Sequence, residues 1–180
     1  MHSPIAGITT QCHGWFASFV SFGRTSQPQV SVQIAADFHP LGLGAGVEAQ
    51  GVEIRRADFV IVRTGQMERC LAEGEWGGYA GGDAPGVKFE NCYWCQEKQV
   101  AAICTDTWGV EVRPNETTEA NQPWHWVVIP AMGLCMGEIF YLKELAEDCA
   151  EDGVYEFFFC GPPLIITGGT GSPINPQAIK

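Results

Sequence analysis

In the stretch PWHWVVIPAMGLCMGE, residues 123–138, a histidine stands between two tryptophans and a carboxylate closes an otherwise apolar run. An imidazole in such surroundings needs a hydrogen-bond partner or a metal, because an unpaired polar group away from water costs roughly 2–7 kcal/mol. Two roles follow for His125 and Glu138. Either His125 is a core histidine satisfied by a backbone carbonyl, with Glu138 capping or pairing in the helix that follows, or both are metal ligands or acid–base groups. In the second case Trp124 and Trp126 would exclude water and wall a pocket for a flat substrate. Asp106 ends the apolar run VAAICTDT, residues 100–107, where a carboxylate either caps a turn or lines a site.

Other chemistries are poorly supported. Serine–histidine catalysis needs a nucleophile on a tight turn such as GxSxG, and the chain has none. GGTGSP, residues 168–173, lacks the Gly-Lys-Ser/Thr ending of a phosphate loop. The eight cysteines follow no framework spacing, so reduced thiols are expected. Cys92 and Cys95 form a CxxC without the second pair that a zinc knuckle requires. They read instead as small core filler on a helix, FENCYWCQEKQVAAI.

The positioning elements come from the periodicity. A strand of the buried kind runs through DFVIVRTG, residues 58–65, after a helix end stopped by Gly51. A glycine-rich stretch from Gln66 to Gly86 reads as a long loop. A helix near 89–99, a strand through VAAICTDT, the helix LKELAEDCAEDG and the strand YEFFFCGPPLII follow. Pro130 and Gly133 break the apolar chain between the last two tryptophans and Glu138. Alternating strands and helices argue for one α/β domain with a mixed sheet over residues 34–180. Residues 1–33 show no clean period and stay unassigned.

A chain of 180 residues with 46 % hydrophobic content, six tryptophans and ten phenylalanines can bury a sizeable core. Its net charge of −11 and scattered ten Lys and Arg exclude the basic stripe that a phosphate backbone requires, so no nucleic-acid partner is expected. No apolar run is long enough to span a bilayer, and the first ten residues lack the charged start of a signal peptide, which points to a cytoplasmic protein with no membrane partner.

Several segments together resemble one family. CTDTWGVEVRPNE at 104–116, PWHWVVIPAMGLCMGEIFYLKELAEDC at 123–149 and PPLIITGGTGSPINPQAIK at 162–180 are similar to the C-terminal part of the cyclase family, metal-dependent amide hydrolases related to kynurenine formamidase and isatin hydrolase. GVEIRRADFVIVRTG at 51–65 resembles that family's middle strand. The resemblance implies a swivelling β/β/α-type fold, incomplete at the N-terminus, and a divalent metal, zinc or manganese, that activates water against an amide, formamide or lactam carbonyl. By motif match it makes His125 and Glu138 metal ligands, with His125 also catalytic, and Asp106 a structural group near them. The family's N-terminal HxGTHxD-like element is missing: no HxxxH occurs in the sequence, and QCHGWF at 11–16 offers one histidine and no carboxylate. The partners so implied are a small-molecule amide and further copies of the chain, since a sheet lacking a part leaves an edge to cover.

Overall fold

The computed structural model describes residues 30–35, 42–76, 78 and 82–180. Their order is β1 (Val30–Ala35), α1 (Gly42–Gln50), β2 (Phe59–Arg63), α2 (Gln66–Glu73), α3 (Asn91–Lys98), β3 (Ala102–Thr105), α4 (Pro123–Val128), β4 (Cys135–Gly137), α5 (Lys143–Asp152), β5 (Glu156–Cys160) and β6 (Gln177–Ile179). The strands form a mixed sheet in the order β4-β3-β2-β1-β5-β6. β4, β3, β2 and β1 pair in parallel, whereas β5 joins β1 antiparallel and β6 joins β5 antiparallel.

The register explains why β2 reads as a continuous apolar run. Val60, Ile61 and Val62 are all fully buried because both faces of the parallel strands are covered. Side chains alternate across the pleat, so Val60 and Val62 face one layer and Ile61 the other. The first layer holds Ile103 and Met136 from the sheet with Leu43, Val47, Cys92, Cys95, Trp124 and Val128 from α1, α3 and α4. The second packs Ile61, Cys104, Phe157, Phe159 and Ala178 against Leu142, Leu145 and Cys149 at α5. Burying one such aliphatic side chain contributes roughly 1.5–3 kcal/mol, so these two layers hold the sheet in register.

Two expectations change. Gln66–Glu73 is not the start of a loop but the helix α2, entered and left through glycines in the left-handed region, Gly65 (φ 83°) and Gly74 (φ 70°). A sequence boundary at residue 34 falls inside β1, which pairs with both β2 and β5. Among the described residues, the first strand of the sheet starts at Val30.

The Cys92–Cys95 pair behaves as core filler. Both thiols lie in the first layer, and burial pushes Cys92 up to about 11 and Cys95 up to about 12, so neither is a ready thiolate or metal ligand at neutral pH. The described cysteines are all free of disulfides. Among the described residues no helix is long and apolar enough to cross a membrane.

Candidate metal half-site at the carboxyl end of the sheet

Three parallel strands deliver their next residues to one end of the sheet. β2 runs into Thr64 and Gly65, β3 into Asp106 and β4 into Glu138. Ile139 N donates to Thr107 O (3.1 Å) and Phe140 N to Thr105 O (3.0 Å), tying the chain after Glu138 to the end of β3. Gly137 permits that approach, since a Cβ there would come 2.7 Å from Cys104 Sγ and 2.8 Å from Phe140 Cζ.

Asp106 is spent on the neighbouring turn. One carboxylate oxygen accepts from Thr64 N (2.6 Å) and Thr64 Oγ1 (2.7 Å), the other from Gly65 N (2.7 Å). Burial pushes its pKa up, and the three donors offset that only in part. These bonds latch the end of β3 to the start of α2, which is a structural task.

His125 is held by a residue that sequence reasoning passed over. Its Nδ1 lies 2.6 Å from Glu111 Oε1, while Nε2 faces Glu138 Oε1 at 3.5 Å. The Glu111 side chain is 3 % exposed, against 21 % for His125. Glu111 also serves the start of α4: Oε2 accepts from Trp124 N (3.3 Å) and from Asn115 Nδ2 (3.1 Å), and Oε1 from His125 N (3.4 Å). Those amides belong to the first turn of a helix begun by Pro123, where donors have no partner within the helix. One carboxylate therefore caps the helix and orients the imidazole that the helix carries.

Burial works against a charged His125, but the hydrogen bonds to Glu111 and Glu138 outweigh it and lift its pKa to about 9. Without a cation, a proton holds Nε2 to Glu138. The signal for Glu111 was present in the sequence: a lone carboxylate between Val110 and Val112 must find a partner if it is buried. That partner lies 14 residues away, beyond what a local pattern can specify.

The two tryptophans part company. Trp124 is fully buried in the first core layer, and its Nε1 has no hydrogen-bond partner among the described residues. Trp126 is 73 % exposed and donates from Nε1 to Asn121 O (3.2 Å). Residues two apart on a helix are separated by about 200°, so the expected pair of walls for one pocket does not form.

The donor set fits a divalent cation in kind. A histidine whose Nδ1 is fixed by a carboxylate presents Nε2 to metal, the arrangement common around zinc. Two ligand atoms about 2.0–2.1 Å from a tetrahedral cation lie about 3.4 Å apart, close to the Nε2–Oε1 separation here. It does not fit in number. Among the described residues no group of three or more His, Cys, Asp or Glu side chains could hold a metal ion, whereas a catalytic centre presents three protein ligands. QCHGWF, residues 11–16, lies outside the described residues.

Residues 24–112 match the model of the Cyclase family. The crystal structure of a novel cyclase superposes with a TM-score of 0.71 at 27 % identity, covering 84 % of this chain and 53 % of that one. The chain has the cyclase-family fold. The resemblance read from the sequence holds, and so does the α/β class with a mixed sheet. The same fold occurs in isatin hydrolase A from Labrenzia aggregata bound to benzyl benzoate, with 21 % identity, a TM-score of 0.66, and coverage of 84 % of this chain and 60 % of that one. It also occurs in a potential metal-dependent hydrolase with cyclase activity, with 16 % identity, a TM-score of 0.58, and coverage of 84 % and 64 %. The chain thus spans 53 to 64 % of the length of these three cyclase-fold structures. No curated protein sequence matches it.

Proposed function

We propose that the chain belongs to a metal-dependent hydrolase acting on a C–N bond other than a peptide bond, in an amide, formamide or lactam, as an arylformamidase does. The observation that carries this is the His125 imidazole pinned between buried Glu111 and Glu138, with Nε2 aimed at the second carboxylate. Glu111 fixes the tautomer and the ring plane, His125 offers Nε2, and Glu138 brings an anionic oxygen to the same point. His125 and Glu138 would hold a divalent cation such as Zn²⁺ or Mn²⁺, which would supply Lewis acidity if a further ligand completed the site. Asp106 keeps the strand ends in place through Thr64 and Gly65. At least one further ligand has to come from outside the described residues or from a second copy of the chain.

A second reading has its own support. The described residues hold no group of three metal-binding side chains, which favours a non-catalytic family member that binds a small molecule or assembles with itself. Hydrolysis separates the two. The full chain, assayed on an aryl formamide and on a lactam with and without added Mn²⁺ or Zn²⁺, should gain at least about tenfold in rate with metal. His125→Ala should remove that gain. No metal-stimulated turnover on either substrate would favour the non-catalytic reading.

A further inference from the structure

Two residues beyond Glu111 the chain places an arginine at the edge of a separate recess. The Arg113 backbone is fixed by its bridge to Ala84, with Ala84 N donating to Arg113 O (3.0 Å) and Arg113 N to Ala84 O (2.9 Å). Its guanidinium is fixed as well: the central carbon lies 5.2 Å from the centre of the Trp108 ring, and Nη1 donates to Asn121 Oδ1 (2.7 Å). A guanidinium stacked and tethered in this way keeps most of its donors for a planar, bidentate acceptor such as a carboxylate.

The charges around it are unusual for this chain. Aspartate and glutamate outnumber lysine and arginine by 21 to 10, and Arg55 and Arg63 both pair with carboxylates. Arg113 forms no ion pair among the described residues, and Asp83 forms neither an ion pair nor a hydrogen bond among them. Yet both residues line one cavity of about 400 Å³. A simple anion would satisfy Arg113 and meet the Asp83 carboxylate, whereas a simple cation would do the reverse. A ligand with both charges a few bonds apart suits the pair.

The remaining walls set its size and polarity. Thr117, Thr118 and Asn121 contribute hydroxyl and amide groups, and the volume is near the lower end of the roughly 300–1,000 Å³ typical of small-molecule sites. Asn115 is already engaged: Nδ2 donates to Glu111 Oε2 (3.1 Å) and Val112 O (3.0 Å), and Oδ1 accepts from Gln122 N (2.9 Å). It stands between the recess and the His125 site, and neither His125 nor Glu138 lines the recess. We propose that this recess binds a small polar α-amino acid such as serine. Arg113 takes the carboxylate, Asp83 the ammonium group, and the threonines and Asn121 the side chain. The inference is independent of whether His125 holds metal or the chain hydrolyses anything.

Titration calorimetry of the full chain tests it with three matched probes: L-serine, hydroxypropionate, which lacks the ammonium group, and ethanolamine, which lacks the carboxylate. L-serine should bind with a Kd of about 1 mM or below, and the other two at least about tenfold more weakly. Arg113→Gln should weaken L-serine binding at least about tenfold. Asp83→Asn, at an exposed position, should bring L-serine down to the level of hydroxypropionate with an unchanged circular dichroism spectrum. Excess EDTA should change nothing, since no metal takes part. Failure of L-serine to bind at about 10 mM, or hydroxypropionate binding as tightly as L-serine, would overturn the inference. So would an Arg113→Gln or Asp83→Asn variant that binds L-serine like wild type, or binding that EDTA abolishes.

Discussion

Gly86→Ala should destabilise the protein by about 3 kcal/mol or more and dislodge the carboxylate that holds His125. A Cβ on Gly86 would run into the Glu111 carbonyl carbon and come within 2.5 Å of Glu111 O and Val112 N. These are backbone atoms, so no rotamer change relieves the contact. The segment is held from both sides: Val87 N donates to Val110 O (2.8 Å), Val112 N to Val87 O (3.1 Å), and Ala84 exchanges two bonds with Arg113. The chain at 110–113 can retreat only by breaking this ladder, and Glu111 would move with it. A urea titration followed by tryptophan fluorescence measures the loss. Because Trp124 lies on α4 in the core layer, the same signal reports the local displacement.

Glu111 itself gives the second large effect, and two substitutions separate its roles. Glu111→Ala removes the partner of His125 Nδ1 and the acceptor for Trp124 N, His125 N and Asn115 Nδ2. Breaking a buried pair of this kind costs about 3–5 kcal/mol, with the α4 start left uncapped. Glu111→Gln keeps an oxygen in place and should cost much less stability, yet it withdraws the negative charge behind the imidazole. Losing such a partner weakens metal affinity about 10- to 100-fold. The expected pattern is therefore a strongly destabilised Ala variant and a folded Gln variant with a weakened metal site. A Gln variant that bound metal as tightly as wild type would assign Glu111 no charge-dependent role.

The sheet was largely legible because its signals are local. FVIVR needs no context to read as a buried strand, and the run before Gly153 needs none to read as a helix with a left-handed glycine stop. α2 was not legible, since its eight residues bury only Gln66, Met67 and Cys70 and the glycines after it dominate the composition. His125 and Glu138 stood out as polar groups in apolar text, and the fold brings them together. Trp124 and Trp126 failed as a pair because the segment is helical rather than extended, which sends alternate side chains to opposite sides. Glu111 was hidden for a different reason. Its role depends on Gly86 and on α4, two elements that meet only after the chain has closed on itself.

The central claim is that His125 and Glu138 are ligands of a divalent cation, with Glu111 orienting the first. Metal content after equilibrium dialysis of the full chain against Mn²⁺ or Zn²⁺ tests it most directly, because it requires no knowledge of the substrate. The wild type should retain about one ion per chain, while His125→Ala and Glu138→Gln should fall below about 0.1 and remain folded by circular dichroism. Wild-type protein that itself holds less than about 0.1 ion per chain, or a folded His125→Ala variant that binds as well as wild type, would contradict the claim.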